Sequence, residues 1–222
     1  MIEKILPAGV AYAEAFTDPP DIALFPEEEA LLARAVDKRR REFGTARGCA
    51  RRALADLGVA PAPILRGERG APLWPPGIVG SITHCAGYRA AAVAHARDMM
   101  TIGLDAEPDE PLPDRVIDVV SLPGERALLR DLADAAPGTC WDRLLFCAKE
   151  AVYKAWFPLT GRWLGFEDAD ITINAADGTF EARLLIPAPT VGGSPLRGFS
   201  GSWLAGDGLI LTTIAPPVLS GR

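Results

Sequence analysis

The chain has 222 residues, of which 49% are apolar and 23% charged, and this composition excludes a disordered or fibrous protein. A net charge of −6 argues against a general nucleic-acid binder, which needs a basic surface to neutralise phosphates. No apolar run is long enough to span a membrane and no signal peptide is readable, so we expect a cytoplasmic protein without membrane contacts.

In the first half of the chain, the pattern predicts helices between one early strand and three later strands. The first helix begins at Pro26 and ends in the basic run Lys38–Arg41, an arrangement that suits the helix dipole because Glu27–Glu29 come first. Gly44 is expected to break this helix, and Thr45 to cap the next. The remaining predicted elements are the helix Ala46–Leu57, ended by Gly58, and the strands Val10–Phe16, Ile78–Thr83, Arg89–His95 and Met100–Ala106.

The proline-rich acidic segment Pro108–Pro113 is the predicted boundary between two halves, residues 1–107 and 108–222. Beyond it, Ser121 is expected to cap a helix that extends to about Asp134. A second helix is expected to stop at Pro158, because proline cannot donate a helical hydrogen bond. The predicted strands are Asp170–Asn174, Thr179–Ile186, Gly198–Ala205 and Leu209–Ile214, with hairpin turns at Asp177-Gly178 and Asp207-Gly208. The predicted fold class is α+β.

The helix over Leu144–Trp156 has two chemically different faces. Leu145 and Ala148 belong to a stripe with the spacing of a buried face, whereas Glu150 and Lys154 lie one turn apart on another face. Such a pair is ordinarily an exposed ion pair that contributes only about 0.3–0.5 kcal/mol. The alternative is a functional site, and a second acidic pair upstream favours it.

That upstream pair is Asp105 and Glu107, whose i, i+2 spacing places both carboxylates on one side of a strand. Together with Glu150 they supply three hard oxygen ligands, the kind that Mg²⁺ prefers beside substrate phosphates. Two histidines and four scattered cysteines do not assemble a convincing zinc site. No Walker-type glycine loop and no GxSxG elbow are present.

Two segments resemble the signatures of the 4′-phosphopantetheinyl transferases. Thr101–Glu107 is similar to the pattern (I/V)G(I/V/L)DxE, and Phe146–Lys154 is similar to (W/F)(S/C)xKExxxK. The resemblance covers roughly residues 25–175 and is greatest to the actinobacterial, EntD-like branch of the Sfp/EntD type. Further segments in matching order are Phe43–Arg47, Gly67–Pro72, Ser81–His84 and Gly161–Asp168.

The resemblance implies an enzyme that moves the phosphopantetheine arm of coenzyme A onto a serine of an apo acyl, peptidyl or polyketide carrier protein, releasing adenosine 3′,5′-bisphosphate. It implies two pseudo-twofold-related α+β halves in one chain, with coenzyme A between them, and a monomer is the simpler expectation. Mg²⁺, or alternatively Mn²⁺, would be the metal ion.

Site residues are carried over on the same resemblance. Asp105, Glu107 and Glu150 would hold the metal ion, and Glu150 would also take the serine proton. Lys154 would neutralise the leaving α-phosphate, with Lys149 nearby on the pyrophosphate. The residues expected at the 3′-phosphate and adenine end of coenzyme A are Arg47, Arg69 and His84.

Other interpretations stay open from the sequence. A Mg²⁺-dependent phosphohydrolase or nuclease would share the three carboxylates, and a non-catalytic module could bind coenzyme A or a carrier protein without turnover. Arg51 and Arg52 have the spacing of surface charges as well as of an anion site, and Lys38–Arg41 is either a favourable helix end or a patch for the carrier protein. The pathway served by the carrier proteins cannot be read from the sequence.

Overall fold

A computed structural model describes residues 1–20 and 22–218, and it confirms the α+β class. Within these residues the chain forms five α-helices and ten β-strands. The helices are α1 (Pro26–Ala30), α2 (Asp37–Asp56), α3 (Val116–Val120), α4 (Pro123–Ala135) and α5 (Trp141–Thr160). The strands are β1 (Ala11–Ala15), β2 (Ile78–Cys85), β3 (Tyr88–His95), β4 (Gly103–Pro108), β5 (Ala169–Asn174), β6 (Thr179–Leu184), β7 (Thr190–Val191), β8 (Ser194–Pro195), β9 (Gly198–Gly206) and β10 (Leu209–Ile214).

Two antiparallel sheets each pack against one long helix. The first sheet has the order β1-β3-β2 and is covered by α2, whose buried face includes Cys49, Ala50 and Leu54. The second has the order β4-β10-β9-β6-β5 and is covered by α5. The two-residue strands β7 and β8 form a separate hairpin that the sequence pattern did not predict. Across the described ranges, every helix is too short or too polar to cross a membrane.

Side-chain hydroxyl groups join the two sheets where β2 runs beside β4. The amide of Leu104 donates a hydrogen bond to Ser81 Oγ over 3.1 Å, and the amide of Ala106 donates one to Thr83 Oγ1 over 3.0 Å. Both hydroxyl residues are buried. Because β4 is also paired with β10, the strand that carries Asp105 belongs to the second sheet. The predicted boundary after residue 107 and the pseudo-twofold relation stay predictions.

The proline-rich segment after β4 is fastened to the start of α5 by four hydrogen bonds. The Cys140 amide donates to Asp109 Oδ1 over 2.8 Å, and the Leu112 amide donates to Asp142 Oδ2 over 2.9 Å. Arg143 donates to the carbonyl groups of Glu110 and Pro111, each over 2.9 Å. The segment between β4 and α3 is therefore held against the start of α5.

The predicted helix break at Gly44 is wrong, because α2 runs through both Gly44 and Thr45. A glycine inside a helix costs only about 1 kcal/mol, less than a long buried face contributes. Thr45 Oγ1 donates to the Arg41 carbonyl over 2.9 Å, a bond within the helix and not a cap. The break lies instead over residues 31–36, so the basic run Lys38–Arg41 begins α2 and does not end a helix.

Two further helix boundaries differ from the prediction. Leu122 occupies the N-cap position of α4, and the Ser121 hydroxyl donates back to the carbonyl of Ile117, the second residue of α3. Pro158 lies inside α5, which continues to Thr160 and ends at Gly161 with a φ of 63°. The loss of one helical hydrogen bond at Pro158 is tolerated because α5 buries most of one face against the second sheet.

We expect Gly103→Ala to destabilise the fold by about 3 kcal/mol, because an added Cβ would lie 2.0 Å from the Ala151 carbonyl oxygen of α5. Urea denaturation followed by tryptophan fluorescence measures this. The matched control is Gly124→Ala, where the added Cβ meets nothing within 4 Å. The control should be neutral or slightly stabilising. Equal stability of the two variants would contradict the close packing of α5 on β4.

Candidate active site

A cleft of about 690 Å³ lies between the loop 67–74, β2 and α5. From the loop it receives Arg69, and from α5 it receives Glu150, Tyr153 and Lys154. Polar and charged groups thus face one another across a space large enough for a ligand of cofactor size.

Asp105 lies in β4 beneath this cleft and is 5% exposed. Its Oδ1 atom accepts hydrogen bonds from Lys154 Nζ over 2.6 Å and from Thr83 Oγ1 over 3.2 Å. Burial lowers the pKa of Lys154, but the charge and hydrogen bond of Asp105 outweigh it, so the net pKa is raised and the ammonium stays charged. Lys154, which lies at position i+4 from Glu150, is thus paired with Asp105.

Two more carboxylates adjoin Asp105. Burial raises the pKa of Glu150, and the negative charge of Asp105 raises it further, while Lys154 opposes the shift. Burial and Asp105 likewise raise the pKa of Glu107, against the attraction of Arg143, whose Nη1 lies 3.0 Å from Glu107 Oε2. The three predicted acidic residues therefore form one electrostatically coupled group centred on Asp105.

The acidic group offers donors that suit Mg²⁺. The Oδ2 atom of Asp105 is buried and makes no hydrogen bond within the described residues, and Glu150 faces the cleft. In the part of the chain that the structure describes, however, no three His, Cys, Asp or Glu side chains are close enough to share a metal ion. Glu107 would have to leave Arg143 to join the other two. Hard oxygen donors around an unsatisfied carboxylate atom fit this ion, and joint binding by all three stays a prediction.

A smaller basic niche, formed by Arg39, Arg47, Arg66 and His84, adjoins the cleft and encloses about 110 Å³. Arg47 is 5% exposed, donates from Nε to the Ile64 carbonyl over 2.8 Å, and stacks on the Phe43 ring at 4.3 Å. Burial lowers the pKa of Arg47 to about 10, with further lowering by the neighbouring arginines against a raising effect of Glu28. A crowded cluster of cations is a site for an anion.

His84 lies at the rim of the basic niche, where its Nε2 atom is 3.1 Å from Arg39 Nη1. An arginine can only donate, so Nε2 accepts and the imidazole is neutral with its proton on Nδ1. Desolvation and then the positive charge of Arg39 lower the pKa of His84, in agreement with this assignment.

The basic niche contains two of the three residues predicted for the far end of coenzyme A. Arg47 and His84 lie in it, whereas Arg69 lies in the larger cleft, with a φ of 50° and its guanidinium 5.2 Å from the Trp163 ring. Sequence reasoning missed Arg39 as a niche residue. The spacing of Arg39, Phe43 and Arg47 at i, i+4 and i+8 could have revealed it, had α2 been predicted as one helix.

The structure corrects the expectation that Lys149 contacts the pyrophosphate. Its side chain is 1% exposed, and Nζ lies 2.8 Å from Glu125 Oε2 and donates to the Phe166 carbonyl over 2.8 Å. Glu125 is equally buried and also accepts from the amides of Leu122 and Ile171. Lys149 and Glu150 both line a small cavity, but the ammonium of Lys149 joins α5 to α4 and to the segment before β5.

Arg51 and Arg52 do not reach either cavity. Arg51 pairs with the fully buried Glu28 at 2.8 Å, and Arg52 donates to the Glu14 carbonyl over 3.2 Å. The interpretation of Arg51 as a plain surface charge is wrong, since it neutralises a carboxylate in the interior.

Comparisons with known proteins agree with the motifs. A family profile described as the 4′-phosphopantetheinyl transferase N-terminal domain matches residues 27–94, and one described as the 4′-phosphopantetheinyl transferase superfamily matches residues 101–191. The chain is similar to the 4′-phosphopantetheinyl transferase Svp of Streptomyces mobaraensis, with 55% identity over 100% of this chain and 91% of the relative. Two further similar proteins are the 4′-phosphopantetheinyl transferases Npt of Nocardia iowensis, 57% identical over 97% of this chain and 99% of the relative, and PptT of Mycobacterium tuberculosis, 52% identical over 96% and 97%.

We expect Lys149→Met to lower the free energy of unfolding by about 3 kcal/mol, because it leaves Glu125 charged and unpaired in the interior. Affinity of the folded protein for coenzyme A should stay within about twofold of the original. Denaturation and calorimetric titration measure the two quantities.

The double variant Lys149→Met with Glu125→Gln should recover part of the lost stability, because no buried charge remains. Lys38→Met, at an exposed lysine, is the matched control and should change neither quantity. If Lys149→Met had normal stability but bound coenzyme A more weakly, we would conclude that Lys149 contacts coenzyme A in the cleft.

Proposed function

Because the chain belongs to the 4′-phosphopantetheinyl transferase superfamily, we propose that it transfers the 4′-phosphopantetheine arm of coenzyme A to a serine hydroxyl of an apo acyl or peptidyl carrier protein and releases adenosine 3′,5′-bisphosphate. The observation that best supports this function is the meeting of the Asp105–Lys154 pair and Glu150 at a cleft that adjoins the basic niche.

The basic niche and the larger cleft each bind a different part of coenzyme A. The 3′-phosphate is a small dianion, and it lies in the basic niche between Arg39, Arg47 and His84. The pyrophosphate and the pantetheine arm then extend into the larger cleft, where Arg69 stands on one wall and Lys154 on the other. This orientation places the bond to be broken beside α5.

The chemical step forms a bond between the serine oxygen and the β-phosphorus of coenzyme A and breaks the bond from that phosphorus to the bridging oxygen. Glu150, which faces the cleft, takes the serine proton. The electron pair of the broken bond goes to the α-phosphate, whose added negative charge is stabilised by the ammonium of Lys154.

Asp105 and Glu150, with Glu107 after its release from Arg143, are the residues that would hold Mg²⁺, with Mn²⁺ as an alternative. A bound divalent ion supplies charge neutralisation on the pyrophosphate. Apart from the ion, Asp105 keeps Lys154 in place through the 2.6 Å contact, and Thr83 orients Asp105.

The carrier protein approaches the open side of the cleft with its serine toward Glu150. We place the enzyme in the cytoplasm as a monomer. A phosphohydrolase and a non-catalytic binding module are the competing functions, and one experiment separates all three. The protein is incubated with coenzyme A, Mg²⁺ and an apo carrier protein, and the carrier is weighed by mass spectrometry.

The carrier should gain the mass of one phosphopantetheine group. Released inorganic phosphate with an unchanged carrier would instead indicate a phosphohydrolase. Binding of coenzyme A with neither product would indicate the non-catalytic module.

In the same assay we expect Glu150→Gln to lower kcat by about 10²–10⁴-fold, because an amide cannot take the serine proton. Binding of coenzyme A without divalent ions should change little. Glu181→Gln, which removes the same charge on the exposed face of β6, is the matched control and should keep full activity. Unchanged turnover of Glu150→Gln would remove Glu150 from the chemistry.

Binding of coenzyme A should be accompanied by proton uptake at His84. The free imidazole is neutral because its pKa is lowered, and a bound dianion raises that pKa, so affinity should increase as the pH falls through the pKa that His84 has in the complex. Calorimetric titration in two buffers of different ionisation enthalpy counts the protons. His84→Gln should remove this uptake, and an uptake equal to that of the original protein would exclude His84 as its source.

A further inference from the structure

Glu42 lies between the basic niche and a buried arginine that is not part of it. Its Oε2 atom is 3.7 Å from Arg39 Nη1, one turn earlier on α2, and its Oε1 atom is 3.4 Å from Arg89 Nη2 on β3. One carboxylate therefore bridges two cations on different elements. Glu42 itself does not line the niche.

Arg89 is held in place by several polar contacts. Its side chain is 6% exposed, its Nη2 atom pairs with Asp18 Oδ2 at 2.8 Å, and its Nη1 atom donates to the carbonyl groups of Cys85 and Tyr88. A guanidinium held by these contacts cannot follow a ligand. Glu42, at 18% exposure, is consequently fastened to the first sheet through it.

Arg39 is the more exposed partner of Glu42. Its side chain is 34% exposed, and an arginine side chain that is free in solvent loses rotamer entropy when it is ordered. In the structure it contacts His84 although Arg47 and Arg66, the other cations of the niche, lie close enough to repel it. The attraction of Glu42 acts on the same Nη1 atom that contacts His84.

We propose that Glu42 is a positioning residue that holds Arg39 over the basic niche, so that a phosphate monoester meets a preformed site. This inference rests on the proposed function, because the monoester is the 3′-phosphate of coenzyme A. Glu42 connects the niche to the Arg89–Asp18 pair, and the binding energy of the phosphate is not spent on ordering Arg39.

Positioning and simple electrostatics predict opposite effects at Glu42. If the carboxylate acted only as a nearby negative charge, its removal would make the niche more positive and would tighten the binding of an anion. If Glu42 holds Arg39 in place, its removal releases Arg39 to solvent and weakens binding. Glu42 also raises the pKa of His84, so the comparison is made at a pH at which His84 stays neutral in the complex. Under that condition the sign of the change separates the two roles.

The test compares coenzyme A with dephospho-coenzyme A, which lacks the 3′-phosphate, by calorimetric titration of the full chain. Glu42→Gln should raise the Kd of coenzyme A by about tenfold, the size of one charge-assisted hydrogen bond, and leave the Kd of dephospho-coenzyme A unchanged. Arg39→Gln should cause the same selective loss. In the double variant the two losses should not add, because Glu42 acts through Arg39.

Glu29→Gln is the matched control, since Glu29 pairs with the neighbouring Arg40 outside the niche and its loss changes net charge equally. It should leave both Kd values unchanged, and thermal unfolding identifies any variant that is not folded. Tighter or unchanged binding of coenzyme A by Glu42→Gln, or additive losses in the double variant, would overturn the positioning role alone. Failure of the unsubstituted protein to prefer coenzyme A over dephospho-coenzyme A would overturn the use of the niche for the 3′-phosphate as well.

Discussion

The close packing of α5 on β4 is the contact on which the site depends. Gly103 allows the strand to approach the Ala151 carbonyl, and the hydroxyl of Thr101 donates to the Ala155 carbonyl over 3.0 Å. At this distance Lys154 can reach both the Leu104 carbonyl and the Asp105 carboxylate. If α5 lay farther from β4, the buried carboxylate of Asp105 would lose its contact with Lys154. The charge balance of the site therefore depends on the close packing of the two backbones.

Charges of the same sign are concentrated in two places, and each concentration is balanced from outside. The acidic group is countered by Lys154 on α5 and by Arg143 at the start of that helix. The basic niche is countered by Glu42 and, at longer range, by Glu28. The overall charge of −6 conceals this separation between an acidic group and a basic niche.

Much of the fold and of the acidic group could be predicted because the relevant signals are local. Strand alternation and the turns at Gly178 and Gly208 located the strands of the second sheet, and the spacing of Asp105 and Glu107 indicated a shared side of β4. The predictions that were wrong concern features that depend on tertiary packing. Gly44 and Pro158 break isolated helices but not helices with a large buried face, and the missed continuity of α2 hid Arg39. Lys149 shares a motif with Glu150, yet its partner Glu125 lies 24 positions away and could not be read from the spacing.

The hydrogen-bonded segment after β4 limits the movement of the backbone near the site. Four hydrogen bonds join residues 109–112 to the start of α5, so the segment can move away from this helix only if those bonds break. The hydroxyl seam between β2 and β4 stiffens the same region from the other side. The strand that carries Asp105 is thus restrained on both sides of the site. At the rim of the cleft, where Arg69 and Trp163 face each other, the walls are loops and have no such restraint from these two sets of bonds.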